Sequence, residues 1–181
     1  GGMSAGSLLV RNTTILADAG AGDVIEGDIL VCDGVITAVG EVPPQPAGSI
    51  GRIIDGAGLI AAPGLVNAHM HSQSATMAGF ADSLSHPAFM WLTQAHTSRR
   101  TPDEIRLAVL LSAAQMLTTG TTALIDHFPG QRFTTADMDA VLAAWEETGL
   151  RATLGMRFFD GSFGDIIPSG VDVPPSVAAM V

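Results

Sequence analysis

The sequence predicts an α/β protein, with a small all-β module ahead of βα units built on a parallel sheet. Residues 1–61 are short β-branched runs broken by turns. From Pro63 onward, strand-like runs alternate with amphipathic helices. The 21 Gly and 10 Pro among 181 residues are spread along the chain, which fits many turns and not a helical bundle.

Composition narrows the function classes. Hydrophobic residues at 47% and charged residues at 14% exclude intrinsic disorder. A net charge of −10, from 18 acidic and 8 basic residues, leaves no basic stripe for nucleic acid or an anionic membrane surface. No apolar run reaches the roughly 18–20 residues that span a bilayer, and no signal-peptide pattern opens the chain. Gly1-Gly2 before Met3 reads as an expression-tag remnant. Cys32 is the single cysteine, so no internal disulfide forms; it reads as packing in an apolar strand, and the expected location is the cytoplasm.

The elements follow in order. Ser7–Val10, Thr13–Leu16, Asp28–Val31 and Val35–Val39 read as strands, with Asp33-Gly34 as a tight hairpin turn. Residues 42–48 (VPPQPAG) are a loop, because adjacent prolines cannot join a ladder. Arg52–Ile54 and Leu59–Ala61 resume extended structure around Asp55-Gly56. Leu65–Ala68 is a buried strand, and residues 72–100 form a long loop with some helix.

A clear helix follows, with Thr101 as N-cap, Pro102 at N1 and Asp103-Glu104 in the first turn. Its inward stripe is Ile105, Ala108, Val109, Ser112, Met116 and Leu117, and Gly120 ends it. Thr121–Ile125 is the next strand. Thr134 or Thr135 caps a second helix with Met138, Val141, Leu142 and Trp145 inward and Gly149 at its end. Arg151–Phe158 is a third strand, Asp160–Pro168 a loop, and Pro174-Pro175 opens a third helix. Three parallel strands alone leave an open edge and a half-covered apolar face. The expectation is therefore that further chain or a second polypeptide completes the fold.

The chemistry gathers at Ala62-Pro63-Gly64-Leu65-Val66-Asn67-Ala68-His69-Met70-His71. His69 and His71 stand two apart in an extended segment, so both imidazoles project to one face at the strand's end. Ring nitrogens so placed can converge on one cation, and imidazole suits zinc, iron or nickel. Two buried imidazoles side by side need a compensating partner, and a metal supplies one.

The segment IIDGAGLIAAPGLVNAHMHS (residues 53–72) resembles the signature of the amidohydrolase superfamily, Pro-Gly, two hydrophobics, Asp or Asn, x, His-x-His. WLTQAHTSRRTPDEIRLAVLLSAAQMLTTGTTALIDH (residues 91–127) resembles its aminohydrolase branch, which includes S-adenosylhomocysteine, guanine, 8-oxoguanine and cytosine deaminases and the triazine hydrolases. The resemblance runs from about Leu8 to Phe158. It implies that residues 1–61 are the N-terminal segment of a composite β-sandwich domain. Residues 62–181 are then the first three βα units of a metal-dependent hydrolase (β/α)8 barrel, a TIM-like barrel left incomplete here.

The same resemblance implies one divalent metal, zinc first and iron second, held by His69 and His71 together with a His from strand five and an Asp from strand eight. In that family the metal lowers the pKa of a bound water, and a Glu after strand five is the general acid/base. These catalytic groups are expected beyond residue 181. The expected function is an aminohydrolase (deaminase) of a small nitrogen heterocycle, in a homo-oligomer. Alternatives are a cyclic amidase, a triazine-type hydrolase that displaces another ring substituent, or a truncated non-catalytic metal-binding fragment. In the S-adenosylhomocysteine deaminases a longer first loop carries Pro-x-Glu before the helix-opening Thr. Here that place reads Thr-Ser-Arg-Arg-Thr, without an acid, and the strand end Asp126-His127 resembles that of the 8-oxoguanine deaminases and triazine hydrolases; both resemblances imply heterocycles lacking ribose.

Three further residues are candidates for substrate contact. His127 ends a barrel strand and can donate to a carbonyl or ring nitrogen, or else to a loop carbonyl. Gln73 points the same way as His71 if the strand continues. Trp91 anchors the long loop or lines the pocket. Asp126 reads as a local cap or salt-bridge partner, Arg99-Arg100 as a solvated face, and His86 and His96 as solvated loop residues. Met77, Met90, Met116, Met138 and Met156 are core filler. Gly120-Thr121-Thr122 lacks the lysine and spacing of a phosphate loop, and Gly161, Gly164 and Gly170 lie outside any dinucleotide-binding context.

Overall fold

A computed structural model describes residues 6–18, 20–80, 82–128, 134–156 and 160–161. The chain divides into two compact units, residues 1–63 and 64–181.

The first unit is a five-stranded sheet organised on one strand. β1 (Ser7–Asp18) pairs antiparallel with β2 (Asp23–Cys32), and β2 pairs with β3 (Val35–Gly40). On its other edge β1 runs parallel to β4 (Arg52–Asp55) and then to β5 (Ile60–Ala61). The two strands expected at Ser7–Val10 and Thr13–Leu16 are one strand. Its register against β2 shifts between Val10 and Thr13, where Asn12 takes φ 57° and its amide donates to Asp28 Oδ1 at 2.9 Å. Asp33 and Gly34 have φ 50° and 79°, the left-handed pair that a two-residue hairpin turn needs. Leu9, Thr13, Ile15 and Leu30 are buried, and Cys32 is half-buried, with Thr37 Oγ1 donating to its sulfur at 3.8 Å.

The second unit holds a parallel sheet in the order β6 (Leu65–Met70), β7 (Thr121–Asp126), β8 (Arg151–Leu154). A 3₁₀ turn (Ser72–Met77), α1 (His86–Thr97) and α2 (Pro102–Thr118) connect β6 to β7. α3 (Thr135–Thr148) connects β7 to β8. The helical part of residues 72–100 is thus the 3₁₀ turn and α1. His86-Pro87, at the start of α1, places proline where its missing N–H costs nothing.

Thr101 and Thr134 cap α2 and α3, each with a reciprocal bond from the third helical residue, Glu104 and Asp137. The core joins Ile105, Val109, Ala113 and Met116 of α2 to Val141, Ala144 and Trp145 of α3, with Leu124 and Phe128. Leu117 and Leu142 differ from expectation and are about half exposed. Each follows a buried residue by one position, roughly 100° further round its helix, which turns it outward. β8 ends at Leu154, short of the expected Phe158; residues 157 and 158, the 162–168 part of the loop and the helix at Pro174-Pro175 lie outside the described residues.

Candidate metal centre

β6 ends where the two histidines stand. His69 is its penultimate residue and His71 follows it directly. The β6–β7 register shifts between Asn67 and Met70, and there the Asn67 side chain accepts from the His69 amide at 3.2 Å. The asparagine satisfies an amide that the irregular ladder gives up. The His69 and His71 rings come together, with centroids 4.9 Å apart and planes at 86°.

β7 brings the third ring. The His127 amide donates to the Met70 carbonyl at 2.8 Å, extending the parallel pairing past β7. The His127 ring lies 4.6 Å from that of His69 and 6.1 Å from that of His71. Gly155, just after β8, lies close to this ring: a Cβ there would sit 3.0 Å from His127 Nδ1. Three imidazoles from two neighbouring strand ends therefore share one locus.

One contact tests whether the pair suits a metal. His71 Nδ1 lies 2.7 Å from the His127 carbonyl oxygen. A carbonyl only accepts, so this bond assigns the proton to Nδ1 and the lone pair to Nε2. Metal-binding histidines are characteristically held this way, with the second ring nitrogen donating to a carbonyl or carboxylate. The pair suits a divalent metal ion, with His69 exposed and His71 half-buried rather than both rings buried. No group of three or more His, Cys, Asp or Glu among the described residues could hold an ion by itself, so the pair needs further ligands.

Gln73 and Trp91 lie on the segment that connects β6 to β7. Gln73 is 4% exposed within the 3₁₀ turn, because the extended alternation ends at Met70; its carbonyl accepts from Arg100 Nη1 at 2.6 Å. Trp91 is half-buried on α1. His86 is exposed at the start of α1, and His96 Nε2 meets Thr76 Oγ1 at 3.2 Å. Arg100 is not a solvated cation. It is half-buried, bonds Gln73 O and Thr76 Oγ1, and burial lowers its pKa while the charge of Glu104 partly offsets that.

Among the described residues Asp126 pairs with no cation. It is fully buried, and its carboxylate accepts from the Ser72 amide at 3.0 Å, the Ser72 hydroxyl at 2.6 Å and Trp145 Nε1 at 3.0 Å. Sequence reasoning missed Ser72 altogether. The available hints were an acid flanked by Ile125 and His127 on an apolar strand, and a serine closing the His-x-His run.

The chain is similar to several known proteins. The 5-methylthioadenosine/S-adenosylhomocysteine deaminase of Desulforudis audaxviator is 36% identical over 151 residues, covering 81% of this chain and 33% of that protein. The 5'-deoxyadenosine deaminase of Methanosarcina mazei is 30% identical over 152 residues, covering 81% and 32%. The atrazine chlorohydrolase of Arthrobacter aurescens, solved in complex with zinc, superposes with a TM-score of 0.68 at 27% identity, covering 82% of this chain and 35% of that one. The chain belongs to the amidohydrolase superfamily. The two curated relatives are named as deaminases and the solved structure as a chlorohydrolase.

No protein-family model matches the chain. An amidohydrolase from a Sargasso Sea environmental sample shares the fold, with a TM-score of 0.62 at 21% identity over 90% of this chain. The chain spans about a third of the length of the curated relatives it matches. Among the described residues no helix is long and apolar enough to cross a membrane.

Proposed function

We propose that this chain is the N-terminal part of a metal-dependent aminohydrolase acting on a small nitrogen heterocycle. Residues 1–61 are read as the first segment of a composite β-sandwich domain. Residues 62–181 are read as the opening βα units of a TIM-like barrel, which further chain or a second polypeptide completes. The observation that carries the reading is the His71 imidazole beside that of His69, donating through Nδ1 to a strand-end carbonyl.

His69 and His71 would hold a divalent metal, zinc first and iron second, with remaining ligands from polypeptide outside these residues. When bound, such a metal polarises water into a nucleophile near neutral pH. His127 would donate to a carbonyl or ring nitrogen of the substrate from the same ring cluster. Trp91 would flank the pocket from α1; Gln73, the further substrate-contact candidate, is buried in the 3₁₀ turn and its carbonyl accepts from Arg100. Water adds to an electrophilic ring carbon, and ammonia leaves as that carbon becomes a carbonyl. The stretch from Trp91 to Thr101 carries no acidic side chain to bind a ribose, whereas the curated relatives are named as deaminases of adenosine derivatives, so heterocycles with and without ribose are both candidate substrates.

The test uses the full-length protein. Metal content is measured, and ammonia release is assayed with 5'-methylthioadenosine, S-adenosylhomocysteine, 8-oxoguanine, cytosine and aminotriazines. About one equivalent of zinc or iron and ammonia from one of these supports the reading. A protein that takes up no divalent metal and releases no ammonia overturns it. A second reading, displacement of a substituent other than amine, is favoured by the likeness to the zinc-complexed atrazine chlorohydrolase. Chloride release from a chlorotriazine without ammonia release selects it.

A further inference from the structure

We propose that Asp126 is a positioning residue of the metal centre, acting through Ser72 on His71. The inference rests on the metal-binding reading above and deepens it. Ser72 is the residue directly after His71, and it is fully buried. All its polar atoms are engaged. The amide donates to Asp126 Oδ1 at 3.0 Å, the hydroxyl donates to Oδ2 at 2.6 Å, and the carbonyl accepts from Ser112 Oγ at 3.3 Å.

On the other side of His71, the Met70 carbonyl accepts from the His127 amide at 2.8 Å, and His71 Nδ1 donates to the His127 carbonyl at 2.7 Å. The backbone on both flanks of His71 is thus fixed by two consecutive residues at the end of β7. Among the described residues Asp126 has no arginine or lysine partner; each donor to it is neutral. Its third bond, from Trp145 Nε1 at 3.0 Å, ties the latch to α3.

Three donors converge on two oxygens, an arrangement that requires a group able only to accept. An amide of the same shape would set an NH₂ against a donor. Asp126→Asn is therefore a near-isosteric change that opens the latch, and Ser72→Ala removes only its hydroxyl arm. Thr134→Ala, which removes the cap of α3, serves as the stability control.

The experiment measures zinc affinity by chelator competition and the visible absorption of the cobalt-substituted form, on the full-length protein. The expected result is a loss of affinity of about tenfold or more in D126N and S72A, the range for groups that orient a metal-binding histidine, with an altered cobalt spectrum. T134A lowers the melting temperature and leaves both metal readouts at wild type. Wild-type affinity and spectrum in folded D126N and S72A overturn the inference while the metal reading stands. Should D126N fail to fold, S72A decides by the same two readouts. A wild-type protein that binds neither metal overturns the metal reading and this inference together.

Discussion

His71 is held at two of its atoms and through its neighbours: Nδ1 donates to His127, its carbonyl accepts from Ser74, and the adjoining residues are clamped to β7. Replacing it with alanine removes the oriented lone pair, so the purified full-length H71A protein is expected to carry far less than one equivalent of metal by elemental analysis. Gly155 makes a subtler case. A methyl group there meets His127 Nδ1 at 3.0 Å and forces the ring to shift. G155A is expected to lower kcat/KM by about tenfold or more while metal content stays at the wild-type level; equal loss of metal would place His127 among the ligands. The histidine pair was legible in the sequence because strand parity alone sets two residues on one face. The Ser72–Asp126 latch was not, since it joins positions 54 apart that only the β6–β7 register brings together.

At the scale of elements, legibility followed local chemistry. Thr101-Pro102-Asp103-Glu104 states its helix start outright, and the structure returns the full capping box. α1 shows in the sequence only as some helix within a loop, because its apolar residues trace no clear stripe and much of it is half-buried. The α2 cap has a pH signature. The Thr101 amide, then its hydroxyl, bonds the Glu104 carboxylate and holds its pKa below the ordinary glutamate value. A depressed folded-state pKa gives stability that is present above the unfolded value, about 4.3, and is lost as pH falls through the folded one. The melting temperature of the wild type is therefore expected to exceed that of Glu104→Gln at pH 6, and the gap should close as pH falls below about 4. A gap that persists unchanged to pH 2 would assign it to packing. On α3, T134A is expected to cost about 1 kcal/mol in denaturant unfolding.

At the scale of the whole molecule, each unit exposes apolar side chains among its described residues. In the first these include Val35, Ile36 and Ile60, and in the second Leu65 and Val66 of β6 with Leu107 and Leu111 of α2. Patches and free strand edges of this kind drive association. Prepared as these 181 residues, the protein is expected to bind a hydrophobic dye and to scatter light as a species heavier than 18.6 kDa; a monomer silent to the dye would show that the exposed faces are tolerated. The long strand β1 carries a consequence of its own. Its β2 partner arrives at once through a short turn, but Thr13 reaches Leu59 across 46 positions. Because distant pairings cost more closure entropy than neighbouring ones, a nascent chain can zip its opening hairpin early, then must wait with one flank of that spine bare until the ribosome has released the segment through Ala61.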